Sequence, residues 1–154
     1  MQGRGEDSTR WSQWQYRTAP LNQAAQLDFN MAWGYVDALS AKEGDVFVVV
    51  VRNHSDQPYC LRPKLDFTGK VFQEEKITGS VLLPANSSLR IAAMRAERRT
   101  EIVHDINAAF WPAPKGTGPD LCELDEPAGL SDWLQQPGEH AFPGNRVASP
   151  AAGG

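Results

Sequence analysis

Between Asp45 and Met94, short runs of apolar β-formers are separated by strong turn signals, and this pattern constrains the fold more than any other feature of the chain. Val46-Phe47-Val48-Val49-Val50-Val51 stops at Asn53-His54-Ser55-Asp56-Gln57-Pro58. Tyr59 to Phe67 alternates up to Thr68-Gly69-Lys70, Ser80 to Leu83 stops at Pro84-Ala85-Asn86-Ser87-Ser88, and Leu89 to Met94 follows. β-branched and aromatic side chains favour a pleated, half-buried surface, and short strands at such spacing predict an all-β sandwich or barrel.

The pattern also ranks the strands. Leu27, Phe29, Met31, Trp33 and Tyr35 alternate with Asp28, Asn30, Ala32 and Gly34, which puts one face in the core and the other in water. The Val46 to Val51 run is apolar on both faces and predicts a central strand. Pro63 has no amide to donate, so Tyr59 to Phe67 is expected at an edge or broken by a bulge, where another chain could add a strand. Residues 92–110 are ambiguous. Ala92 to Arg99 has helix-forming composition, which allows a turn of helix around Arg95 to Arg99. Ile102, His104, Ile106, Ala108 and Phe110 nevertheless alternate and predict a strand ending at Trp111-Pro112. Ser131-Asp132-Trp133-Leu134-Gln135-Gln136 predicts a short helix capped by Ser131 and ended by Pro137-Gly138.

The chain has 154 residues, enough for one domain with a real core. The expected organisation is an aromatic N-terminal arm (1–24), an immunoglobulin-like β-sandwich of about seven strands (25–111) and an extended acidic Pro/Gly-rich tail (112–154). The likeness to bacterial surface and periplasmic modules is one of plan only, because the Cys…Trp…Cys spacing of antibody domains is missing. A formal charge of -4 offers phosphate backbones little, so no nucleic-acid partner is expected. No run approaches the ~20 apolar residues of a membrane-spanning helix. The first eight residues lack the apolar stretch of a secretory signal.

Cys60 and Cys122 have neither CxxC spacing nor nearby histidines, which argues against a zinc site. A disulfide between them would staple the tail to the sandwich and fit a periplasmic or extracellular setting, though a cytoplasmic one is not excluded. The histidines, His54, His104 and His140, lie far apart in sequence. His104-Asp105, His54 with Asp56 and His140 with Glu139 form no converging acid-base set, since strand neighbours point to opposite faces. No cofactor motif is present. Asn53-His54-Ser55 and Asn86-Ser87-Ser88 fit the glycosylation pattern, but Asn and Ser also make turns by bonding to nearby backbone, and that reading is preferred.

The expected function is a non-catalytic interaction protein, a structural subunit or accessory factor of an extracellular or envelope assembly. It would bind a protein partner or a second copy through sheet edges and terminal arms. The candidate partner-binding residues are Trp11, Trp14 and Tyr16 in the arm and Arg95, Arg98 and Arg99 in the densest basic group; residues 11–17 are expected to add a strand to a sheet. Arg90, Lys64 and Lys70 extend that group, which could also hold the acidic tail around Asp120, Glu123, Asp125 and Glu126. One alternative is a periplasmic chaperone or fibre-assembly inhibitor. The other is a small carbohydrate-active or hydrolytic enzyme using Trp33, Trp111 or Trp133 as a sugar platform beside Asp105 or His104.

Overall fold

The alternating and continuous apolar runs all become strands. The computed structural model describes residues 15–36, 44–68, 71–96, 103–137 and 140–148. Its strands are β1 (Gln15–Asn22), β2 (Leu27–Val36), β3 (Gly44–Asn53), β4 (Tyr59–Thr68), β5 (Val71–Lys76), β6 (Val81–Leu83), β7 (Ser88–Ala96) and β8 (Val103–Pro112). They form two antiparallel sheets, one ordered β1-β2-β3-β7-β5 and the other β6-β4-β8.

The period-two pattern decides which face of each strand is buried. Leu27 and Phe29 on β2, Phe47, Val49 and Val51 on β3, Tyr59 and Leu61 on β4, Ile91 and Met94 on β7, and Ala108 and Phe110 on β8 share one core between the sheets. β3 is central, with β2 and β7 as neighbours, while Val46, Val48 and Val50 lie half-buried on its outer face. Burying a Val or Phe side chain fully is worth about 1.5–3 kcal/mol, so this run is the main stabilising element.

Of the edge or bulge expected at Pro63, the edge is what forms: β4 pairs with β8 in unbroken register from Tyr59 to Thr68, and Pro63 stands opposite Ala108. The short β6 covers β4 only from Tyr59 to Leu61, so the amide missing at Pro63 falls where that side of β4 has no partner strand. Residues 92–96 are strand, not helix, because pairing with β3 and β5 outweighs the helix propensity of Ala and Met. Residues 97–99 lie outside the described residues.

The tail departs most from a plain extended segment. Cys60, Ala109 and Trp111 point away from the sandwich core, and against them pack Cys122, Leu130, Trp133 and Phe142 to make a second buried cluster. Cys60 and Cys122 form the expected disulfide, with Cα atoms 5.5 Å apart. This cap contains a 3-10 turn (Glu123–Asp125) and a short helix, α1 (Leu130–Gln135). Gly129, with φ of 87°, stands at the N-cap of α1 in place of Ser131, which lies inside the helix and caps nothing. No helix of the described residues is long and apolar enough to cross a membrane.

One end of the sandwich is pinned by its loops. Asn53, 2% exposed, donates its amide to the carbonyl of Gln57 (2.8 Å) and reaches those of Pro84 (3.2 Å) and Leu83 (3.4 Å). Its Oδ1 accepts the N–H (2.9 Å) and hydroxyl (2.7 Å) of Ser55. Backbone bonds from Asn53 to Ser87 and from Asn86 to Ser55 join the same two loops. Both Asn-Ser motifs are therefore used as turn chemistry, and the Asn53 amide is too enclosed to carry a sugar in the folded chain.

Candidate functional site

Strand alternation shows which backbone groups on β8 are free. In an antiparallel ladder every second residue turns its N–H and C=O away from the partner strand. Phe110 is one of these: its N–H donates to Asn145 Oδ1 (2.9 Å) and its C=O accepts from the Arg146 amide (3.2 Å). Two residues back, the amide of Ala108 donates to Asn107 Oδ1 (2.9 Å). Two further back is Ile106, for whose outward backbone no described residue provides a partner.

The strap that covers the upper part of this edge comes from the cap. The His140 carbonyl accepts from the Asn107 side chain (2.9 Å) and from the Trp133 indole (2.8 Å), Asn145 and Arg146 meet Phe110, and the Ala148 amide donates to the Tyr59 hydroxyl (3.1 Å). The strap thus runs parallel to β8 from Asn107 towards Pro112. Below Asn107 no described residue bonds to the edge.

Beside that opening is a cleft. β1 extends the larger sheet one strand beyond β2, and among the described residues no strand of the smaller sheet lies beyond β8, which meets β1 and β2 across a cleft. The resulting cleft of about 380 Å³ is lined by Arg17, Ala19, Leu21, Phe29, Met31 and Ile106, with Pro20 and Asn107 at its rim. Its lining mixes apolar side chains with a slightly larger share of polar surface, and Arg17 is the only charged residue among the described residues that line it.

A second, smaller cleft of about 220 Å³ lies between the outer face of the three-stranded sheet and α1, and it gathers Lys64, Asp66, Asp105 and Asn107. Asp66 and Asp105 stand directly opposite each other across the ladder. Lys64 is committed elsewhere: its ammonium donates to the carbonyls of Trp133 (2.9 Å) and Gln136 (2.6 Å) and lies 4.9 Å above the Trp133 ring. Among the described residues no three His, Cys, Asp or Glu side chains are grouped to hold a metal ion.

The candidates named from sequence are dispersed. Tyr16 lies in β1, opposite Ala32 of β2, so residues 15–17 belong to a strand added to the sandwich, on β2 and not at Pro63. Trp11, Trp14, Arg98 and Arg99 lie outside the described residues. Arg95 is opposite Val46 on the outer face of the five-stranded sheet. The acidic cap packs on the outer face of the three-stranded sheet, and among the described residues no acidic side chain of the tail pairs with Arg90. Arg90 faces Glu75 (3.9 Å), while Glu126 accepts from the Ser80 hydroxyl (2.5 Å) and lies 3.9 Å from Arg62. Trp111 and Trp133 are buried in the cap, which takes these two away from the role of sugar platform, while Trp33 is half-buried and packs on Phe47 with ring centroids 4.7 Å apart. His54 contacts Asp28 (2.9 Å), not Asp56.

Sequence reasoning missed Arg17, Met31 and Ile106 as neighbours, because the cleft arises from strand order. Comparison with known proteins returned no match: no family description fits the chain, and neither a curated protein nor a solved structure is significantly similar to it.

Proposed function

We propose that the chain is a non-catalytic interaction protein, a structural subunit or accessory factor of an extracellular or envelope assembly, that receives an extended strand at the open edge of β8. The observation that carries this reading is the cleft between β1 and β8: a groove with apolar side chains at its base, polar surface around them and the unpaired edge of β8 beside it has a shape that suits strand addition. The strand neighbours support an immunoglobulin-like plan. The order β2-β3-β7-β5 corresponds to A-B-E-D of that fold, the β4-β8 pair corresponds to C-F, and the place of strand G falls beside β8. The disulfide agrees with an oxidising compartment, periplasmic or extracellular.

The enzyme alternative sets Trp33, Trp111 or Trp133 beside Asp105 or His104; Asp105 lies opposite Asp66 in the smaller cleft, and none of the described residues lining that cleft is aromatic. Sedimentation across concentration, combined with amide exchange at Ile106, tests the preferred reading. The Ile106 amide is expected to slow when the chain associates with itself or with a strand supplied in trans. An amide that exchanges equally fast under all these conditions overturns it.

A further inference from the structure

We infer that the cleft between β1 and β8 selects an extended polypeptide segment with apolar side chains at alternate positions and a carboxylate at the end that meets Arg17. This inference rests on the strand-receiving function proposed above and specifies what is received.

Three observations set the chemistry of the occupant. The edge already bonds to another part of the chain: two outward-facing positions above Ile106, the Phe110 amide donates to the Asn145 side chain and its carbonyl accepts from the Arg146 amide, so a segment beside Ile106 would lie next to an edge that the molecule itself uses. The floor offers Phe29, Met31, Leu21 and Ile106, which suits two successive inward side chains of Val or Leu size, spaced about 6.6 Å apart along a strand. The lip carries Arg17 with no carboxylate among the lining residues, so a segment bringing its own acid gains a charge-assisted bond that a neutral or basic one does not. A small apolar molecule would use the floor but leave the outward N–H and C=O of Ile106 unmet, which favours a polypeptide.

The register isolates the contribution of the edge. Ile106 faces Leu65 in a pair that makes no bonds across the β4 ladder, as Pro63 and Ala108 do two residues away. Ile106→Pro therefore removes the outward donor without the loss of a ladder bond but also exchanges a floor side chain, so Ile106→Ala, which keeps the donor, is its control: Ile106→Pro should weaken binding beyond Ile106→Ala, and melting curves verify that both variants fold. Arg17→Glu, an exposed position, provides a second variant with little risk to folding.

The probes are two peptides that read the same in both directions, blocked at both ends: Asp-Thr-Val-Thr-Val-Thr-Asp, and the same sequence with Lys at each end. Each places its two Val and its terminal charges on one face of a strand. Titration into isotopically labelled protein should shift the resonances of Ile106, Met31 and Arg17, with the acidic peptide binding about tenfold more tightly than the basic one. Arg17→Glu should invert that preference, and folded Ile106→Pro should weaken both peptides. Equal affinities unaffected by Arg17→Glu, or shifts that map elsewhere, overturn the inference. If neither peptide binds at millimolar concentration while self-association still slows the Ile106 amide, this inference falls and the strand-receiving function stands. If neither occurs, both fall.

Discussion

Pro63 on β4 stands directly opposite Ala108 on β8, and its missing amide points to the side of β4 that β6 leaves uncovered. A proline at that position costs no ladder bond and denies a donor to any strand approaching that edge. The two exposed edges of the smaller sheet are thus treated differently. On β4 the edge is blunted by proline. On β8 its upper half is covered by the strap, and its lower half, to which no described residue bonds, runs beside a cleft. Pro63→Val places an amide N–H at a buried position that no described strand partners, and should cost about 1–3 kcal/mol. It should also raise the rate of aggregation from partly unfolded protein, measured by light scattering near the melting midpoint. Equal aggregation rates would show that the proline does not protect the edge.

Val49 is fully buried at the centre of β3. Val49→Asp places a charge with no partner in the core, and a loss of at least about 4 kcal/mol, or failure to fold, is expected from chemical denaturation. Unchanged melting would contradict the central position of β3.

The Asn53 side chain ties two loops together from a buried position, and its role is to satisfy carbonyls that water does not reach. Asn53→Ala should cost about 2–3 kcal/mol, the loss of its bonds plus the desolvation of the abandoned carbonyls. Asn53→Asp should cost at least as much, because its carboxylate cannot donate to them. The ranking is read from urea midpoints at neutral pH.

Much of the sandwich was legible because its information is local. The alternation of Leu27, Phe29, Met31 and Trp33 and the double-sided Val46 to Val51 run each specify a face or a position without reference to the rest of the chain. The disulfide was legible because only two cysteines exist to pair. The cap was not. Ala109 and Trp111 keep a strand period and Leu130 and Trp133 a helical spacing, but nothing local says that these pieces and Phe142 converge, which they do on the surface offered by the outer faces of Cys60 and Ala109. The cleft was invisible for a related reason: it depends on β1 pairing with β2 and so reaching past β8, a long-range choice that no window of sequence encodes.

The cap is held by the disulfide and by Lys64, whose ammonium meets two carbonyls at the end of α1 above the Trp133 ring. Replacing Cys60 and Cys122 together with Ala should cost about 2–5 kcal/mol and open residues 113–148 to limited proteolysis while the strands of the sandwich stay protected. Lys64→Met keeps the apolar stem and leaves the carbonyls without their donor. It should loosen the same segment by about 1–2 kcal/mol, seen as faster amide exchange in α1. Loss of protection across the whole sandwich in either variant would mean that cap and sandwich unfold as one unit.

Asn145 decides how far the open edge of β8 extends. Its side chain occupies the Phe110 amide, and the strap is kept close by Gly144, where an added Cβ would come within 2.6 Å of the Phe142 ring. Asn145→Ala removes one hydrogen bond at the rim of the molecule and should lower global stability by only about 1 kcal/mol. Gly144→Ala should push the Phe142 ring from its place beside Trp133 and cost more, because a buried aromatic contact is lost with it. The two variants therefore separate edge exposure from cap stability. If the strap limits strand addition, Asn145→Ala should lengthen the accessible edge from Ile106 up to Phe110. Self-association or peptide capture would then rise at nearly unchanged melting temperature, measured by sedimentation and by amide exchange at Phe110. Faster exchange at Phe110 without any gain in association would show that the strap merely satisfies an amide and does not limit what the edge can bind.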